Sequence, residues 1–154
     1  MTADATISPI DDTQEELLTV FIAGQQFGIS ILQIQDVLRT QRITPVPLSS
    51  PEIEGALNLR GRIVTAIDVR KRLRLPKNDN AHERMNVVVE HDGELFSLLI
   101  DKVGDVLRLD KALFDKVPQT LDAVWREVAL GIYRLDGNLL IVLDVSKLLN
   151  FDEE

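Results

Sequence analysis

The sequence predicts an all-β protein with few short helices, built as two copies of one small barrel. Three observations lead there. The chain repeats itself at a nearly constant spacing. Each copy carries short, β-branched apolar runs that meet at glycine turns. Roughly five strands in a copy of about 65 residues suit a small closed barrel, and closing a sheet removes its exposed edges.

The repeat comes first. Residues 24–39 align with 93–108 at an offset of 69, with seven identities in sixteen positions, including Phe27/Phe96, Ile31/Ile100 and the whole run Asp36-Val37-Leu38-Arg39 over Asp105-Val106-Leu107-Arg108. Residues 55–73 align with 131–149 at an offset of 76, with seven identities in nineteen. The seven-residue difference falls in the intervening loop, where insertions are tolerated. Two ungapped matches in the same order indicate two copies of one supersecondary unit. The division is a polar tail at 1–14, expected to be disordered, a first barrel at 15–80 and a second at 81–151. Asn78-Asp79-Asn80 forms the linker.

Within each copy, residues 17–22 and 86–90 read as strands that turn at Ala23-Gly24 and Asp92-Gly93 and return through 27–31 and 95–100. Asp-Gly favours a type I′ hairpin, which needs positive φ at both central residues. A second hairpin turns at Asp136-Gly137 in one copy and at Arg60-Gly61 in the other. Arginine is less suited than aspartate to positive φ, so the first-copy tip is expected to serve something besides turning. The runs after these tips, 63–69 and 139–145, are almost continuously apolar and are expected to be buried on both faces. Ser50-Pro51-Glu52 predicts a short helix that ends by Gly55. Ile31, Ile34 and Leu38 have helical spacing in a segment too short to decide.

Composition narrows the function. Hydrophobic residues make up 45% of the 154, enough for a real core, and aromatics only 5%, which argues against a stacking platform for nucleic acid. The net charge of −8 disfavours phosphate backbones and anionic membranes. The longest uninterrupted apolar run, 139–143, cannot span a bilayer, and no signal peptide is visible. With no cysteine there are no disulfides, thiol nucleophiles or cysteine metal clusters, which suits a cytoplasmic setting. Charge is uneven: residues 60–77 carry seven basic residues and one acid, so this stretch is +6 and the remainder −14. It reads either as a solvated strand end and turn or as a docking patch for an acidic partner.

Catalytic constellations are missing. His82 and His91 lack a second histidine at metal spacing and read as surface residues. No nucleophile elbow, zinc-protease, Walker A or dinucleotide-binding pattern occurs, and the glycines sit at hairpins rather than before helices. Asp68 and Asp144 end buried strands at matched positions and are expected to bond backbone N–H groups of the following turn. Arg39 and Arg108 also match and invite acids across a sheet. Trp125 reads as a core plug, or as a contact residue if exposed. No enzyme activity, cofactor or metal is expected.

A longer pattern adds a resemblance. Residues 58–70, Asn58-Leu59-Arg60-Gly61 followed by an apolar run to Asp68-Val69-Arg70, resemble the signature strand pair of CheW-like domains, N-L-R-G then D-[LV]-R. Phe27 to Ile31 with Ile34 to Val37 is similar to that family's F-G-I-x-I…V-x-E-[IV]. Pro51 to Gly55 is similar to its P-x-[IVF]-x-G, and Asp144 to Leu149 to its closing D-x-x-K-L-L. The match runs from about Glu15 to Phe151.

The resemblance implies two SH3-like five-stranded β-barrels, with strand exchange allowed between the halves. It implies a non-enzymatic chemotaxis scaffold that couples the cytoplasmic tips of methyl-accepting receptors to the regulatory domain of the histidine kinase CheA, recruited to membrane receptor arrays without inserting into the membrane. The alternative is a similar adaptor module that serves another signalling kinase or protein partner. Receptor binding is implied for Ile34, Asp36, Gly55, Asn58 and Arg60, with Asp36 standing where glutamate is usual. First kinase contacts are implied for Ile43, Thr44 and Val46. A second falls near Thr120 and Leu121, where some relatives carry an aromatic.

Overall fold

The computed structural model describes residues 12–47, 49–76 and 83–150. Most of the expected tail, Leu48, Lys77, the linker at Asn78–Asn80 and His82 lie outside the described residues. Eleven strands follow in order: β1 (Gln14–Ile22), β2 (Gln25–Ser30), β3 (Ile34–Leu38), β4 (Ile53–Leu59), β5 (Arg62–Asp68), β6 (Met85–His91), β7 (Glu94–Ile100), β8 (Lys102–Asp110), β9 (Phe114–Asp115), β10 (Ala129–Leu135) and β11 (Asn138–Leu143). Three short helices, α1 (Val69–Arg72), α2 (Ala123–Val128) and α3 (Val145–Leu148), complete the all-β fold. β1 starts on the last residue of the expected tail, and the Thr13 carbonyl already accepts from Lys111 N at 2.8 Å.

The strands form two sheets, ordered β8-β1-β2-β11-β10-β9 and β3-β6-β7-β5-β4. The repeat offsets equate β1 with β6, β2 with β7, β3 with β8, β4 with β10 and β5 with β11. Under that exchange the two sheet orders coincide, apart from the short β9. Each sheet takes a hairpin from one copy and three strands from the other, with the short β9 a fourth in the six-stranded sheet. Each hairpin is joined to the other copy on both sides, by the antiparallel pairs β1–β8 and β3–β6 and by the parallel pairs β2–β11 (Phe27↔Ile141) and β5–β7 (Thr65↔Phe96 to Asp68↔Leu99). Parallel strands are covered on both faces, which is why β11 is buried from Leu140 to Leu143.

Each sheet closes into an SH3-like barrel in the same way. After edge strand β3 the chain wraps round to the opposite edge, where Thr44 and Ala56 of β4 exchange N–H···O bonds of 2.8 Å. After edge strand β8 it wraps round through β9, which pairs with β10 at Ile132↔Asp115. Ala56 and Ile132 are equivalent positions. One core then joins both barrels: Leu18, Val20, Phe27, Ile132 and Ile141 from one sheet pack with Ile67, Val87, Val89 and Leu98 from the other. Trp125 plugs it, edge-to-face on Phe27 at 5.5 Å.

Some expectations need correction. No helix starts at Pro51; residues 51–52 are a turn, closed by Ile53 N on Ser50 O at 3.0 Å, and the chain continues as β4. The alternation that turns Ile53, Gly55 and Leu57 inward outweighs the cap signal. The strands expected to reach Val69 and Val145 stop one or two residues earlier. Asp68 and Asp144 then cap α1 and α3, each accepting from a backbone N–H three residues on at 3.2 Å. Ile63 is 70% exposed, because β7 covers β5 only from Thr65 onward. Of the two Asp-Gly turns, Asp92-Gly93 has φ 53° and 80°, as type I′ requires, whereas at Asp136-Gly137 only the glycine is positive (77°).

Thr19 exposes a flaw in the duplicated design. It lies where the β1–β8 register shifts, is 2% exposed, and its hydroxyl has no hydrogen-bond partner among the described residues. Its equivalent at offset 69 is Val88, fully buried at the matching shift between β3 and β6. A buried unsatisfied hydroxyl costs about 1–3 kcal/mol, and a same-shape apolar group avoids that cost. Thr19→Val is therefore expected to raise stability by roughly 1 kcal/mol. Equilibrium urea unfolding checks this, and a lower midpoint for the variant would contradict it.

Candidate functional site

The hairpin tip between β4 and β5 is built around a bonded asparagine. Asn58 Oδ1 accepts from Gly61 N at 2.9 Å, closing a turn in which Arg60 and Gly61 have φ of 52° and 86°. Arginine thus occupies the left-handed region, at a cost on the order of 1 kcal/mol. Its guanidinium extends to Asp36 on β3, with Nη2 to Oδ2 at 2.9 Å. Since β3 and β4 are opposite edges of one sheet, this contact spans the seam of the barrel. Asp36 is one-quarter exposed and Arg60 about three-quarters. Two of the receptor-face residues implied by the resemblance are in direct contact, and Asn58 shapes the tip that carries one of them.

The other two sit differently. Ile34 opens β3 half-buried, packed on the shared core. Gly55 is buried beneath the wrapping segment, and a Cβ added there would lie 2.2 Å from Thr44 O and 2.8 Å from Ile43 Cγ2.

The segment for which the resemblance implies a first kinase contact lies along the β4 edge. Ile43 is half-buried against Leu57 and its neighbours, Thr44 holds the closing bridge, and Val46 is 43% exposed. Beside them Gln41, Arg42, Thr44, Asn58 and Ile63 line a groove of about 420 Å³. On the far side of Ile63 a second groove, about 430 Å³, runs between Arg62, Thr65 and Glu94. Ile63 therefore stands exposed between two grooves. The apolar run around it predicts burial, because nothing local tells where the neighbouring strand stops. Thr120 and Leu121 belong to the other barrel, between β9 and α2. Thr120 is exposed, while Leu121 is half-buried on the shared core and its carbonyl accepts from Arg126 Nε at 3.1 Å.

Much of the basic stretch at 60–77 is used internally. Arg70 holds Asp101 through Nε to Oδ1 at 3.0 Å and Nη2 to Oδ2 at 2.6 Å, and these bonds raise its already high pKa despite opposing desolvation. Arg72 donates to the carbonyls of Leu148 and Lys147 at the end of α3, at 2.8 and 2.9 Å. Arg62, Lys71 and Arg74 remain exposed. Arg108 pairs with Glu16 directly across β1–β8 at 3.3 Å, as its matched position suggested. Among the described residues no group of three or more His, Asp or Glu could hold a metal, and His91 lies 3.3 Å from Asp92. No helix among the described residues is long and apolar enough to cross a membrane.

Two fused SH3-like barrels that present a charged tip and an apolar grooved edge make a protein-docking scaffold. Known proteins agree. The family model described as CheW-like domain matches residues 16–153. Chemotaxis protein CheW of Thermotoga maritima is 30% identical over 134 residues, 87% of each chain. That of Treponema pallidum is 26% identical over 148 residues, 94% of this chain and 87% of its own. The crystal structure of the scaffolding protein TtCheW from Thermoanaerobacter tengcongensis superposes with a TM-score of 0.81 at 25% identity, covering 91% of this chain and 95% of its own. The chain belongs to the CheW-like family and is a chemotaxis scaffold.

The Arg60–Asp36 pair is exposed, and such pairs contribute about 0.2–1 kcal/mol. That is no more than the backbone cost of holding arginine at positive φ. Arg60→Gly is expected to leave the melting temperature unchanged within about two degrees, or slightly raised. A fall of more than about 1 kcal/mol in stability would make the pair a structural clasp.

Proposed function

We propose that this chain, without enzyme activity of its own, couples the cytoplasmic tips of methyl-accepting chemoreceptors to the regulatory domain of the histidine kinase CheA. It would work in the cytoplasm at membrane receptor arrays. The observation that carries this reading is the presence of two unlike surfaces on one barrel: the charged Asp36–Arg60 tip and the exposed apolar Ile63 between its two grooves, which meet where Asn58 pairs with Ile63. A scaffold that holds two partners at once needs two surfaces of different chemistry.

At the tip, Arg60 supports the reading most directly. An exposed guanidinium at a conformationally unfavourable position adds little to stability, while it offers a planar fork for a carboxylate or backbone carbonyls on a receptor helix tip. Asp36 holds that fork in place from the neighbouring strand. Ile63 supplies apolar area between Arg42 and Arg62, an arrangement suited to a partner barrel with an apolar centre and an acidic rim. Thr120 and Leu121 belong to a second kinase-type contact on the other barrel.

Titration of the purified chain against the kinase regulatory domain, with and without a receptor-tip fragment, tests the proposal. Both partners are expected to bind at or below tens of micromolar, roughly the −6 kcal/mol of a modest contact, and to bind together. Binding to neither would overturn the reading. Arg60→Gly should weaken receptor-tip binding about tenfold or more, as for a hot-spot arginine, with kinase binding unchanged. Ile63→Glu should show the opposite split. Loss of both affinities in either variant would mean that the faces are not separate.

A further inference from the structure

We infer that Gly55 and Gly131 are positioning residues for the two kinase-facing segments, and that Gly55 serves the kinase face through Thr44 rather than contacting a receptor. The inference rests on the proposed coupling function for its partners, while the geometry beneath it stands alone.

Each barrel closes by laying a wrapping segment over its β4-type edge strand, and the segment crosses that strand at a glycine. In one barrel a Cβ on Gly55 would meet Thr44 O at 2.2 Å, Thr44 C at 2.7 Å and Ile43 Cγ2 at 2.8 Å. In the other, a Cβ on Gly131 would meet Phe114 Cζ at 2.3 Å and Asp115 O at 2.6 Å. The two glycines are equivalent at the 76-residue offset, and each directly precedes the residue that pairs with the wrapping segment, Ala56 or Ile132. The obstacles include backbone oxygens, which have no rotamer to escape into, so a methyl group must push the segment away.

What the segments lead to gives the crossings their meaning. Thr44 is flanked by Ile43 and Val46, the apolar residues of the first edge. From β9 the chain runs through 116–119 to Thr120 and Leu121. Both kinase-type contacts thus hang from a segment that a glycine admits. The Asp36–Arg60 tip lies beyond this crossing. It is held by its own bonds, Asn58 Oδ1 to Gly61 N and Arg60 to Asp36, neither of which passes through Thr44. A displaced Thr44 should therefore move the kinase edge and spare the tip.

The experiment uses the full chain. Gly55→Ala is expected to reduce affinity for the kinase regulatory domain about tenfold or more, with receptor-tip affinity kept within about threefold. Amide hydrogen exchange should quicken at Thr44 and Ala56, whose N–H groups bond each other's carbonyls, and stay unchanged at Gly61. Gly131→Ala should leave both pairwise affinities within about threefold, yet abolish larger receptor–kinase–scaffold assemblies in sedimentation, because the second contact is lost. If Gly55→Ala does not fold, Thr44→Pro removes the N–H bond to Ala56 without touching the glycine, and should give the same split. Loss of receptor-tip binding with kinase binding kept, in either variant, would overturn the inference. So would unchanged exchange at Thr44 and Ala56. If the unsubstituted chain binds neither partner, the coupling proposal fails, and the exchange pattern alone then decides whether the glycines position the segments.

Discussion

The structure depends on two parallel strand pairs, β2–β11 and β5–β7, which exchange hairpins between the copies. Each pair joins strands from opposite halves of the chain, so neither half can complete a sheet from its own strands. The shared core follows from this. Side chains of β1 and β2 reach the same cluster as those of β6 and β7 because the exchanged hairpins lie face to face in the middle of the molecule. Burying the seam offsets the entropy of two long-range closures, which short barrels of this size would struggle to do separately.

A crossover has to leave one sheet and enter the other, and the two crossovers solve this differently. Asp101 is the single residue between β7 and β8. Its carboxylate takes Ala23 N at 2.8 Å from the hairpin of one barrel and both Arg70 contacts from the helix of the other. At the equivalent position between β2 and β3 stands Leu32, 93% exposed on a one-turn 3-10 helix capped by Ser30. A charged residue partly withdrawn from water needs partners, and here the partners are what tie the barrels. Within the basic stretch Arg70 and Arg72 are wired internally while Arg62, Lys71 and Arg74 stay exposed, and sequence could not reveal the first role because Asp101 lies 31 residues from Arg70.

Local chemistry made much of the fold legible. Glycine turns, β-branched runs and the aspartate caps at Asp68 and Asp144 all act within a few residues, and the repeat doubled each signal. The misses have non-local causes. Residues 51–55 lead into a strand because β5 and the Thr44 segment pair with β4, and Ile63 is left exposed because β7, from the other copy, pairs with β5 only from Thr65. The candidate site divides the same way. Asp36, Asn58 and Arg60 were recognisable from motif, and Arg60 also from its unsuitability for a turn. Gly55 was recognisable as special, but its packing against Thr44 was not, since a sequence does not say which segment lies against a glycine.

Duplication explains why the faces diverged where they did. Closure must be kept in both barrels, so both glycines remain and both wrapping segments cross alike. The hairpin tips carry no such duty. One keeps an arginine at positive φ braced by Asp36; its equivalent has Asp136, with Gly137 alone at positive φ. Asp36 likewise has its equivalent in Asp105, so the second barrel places acids at both positions where the first has a cation and an anion. Two like charges at matched positions cannot form the pair that pre-orients the first tip. The surface best prepared for a partner therefore exists once per chain, and this gives the scaffold a direction although its fold is nearly symmetric.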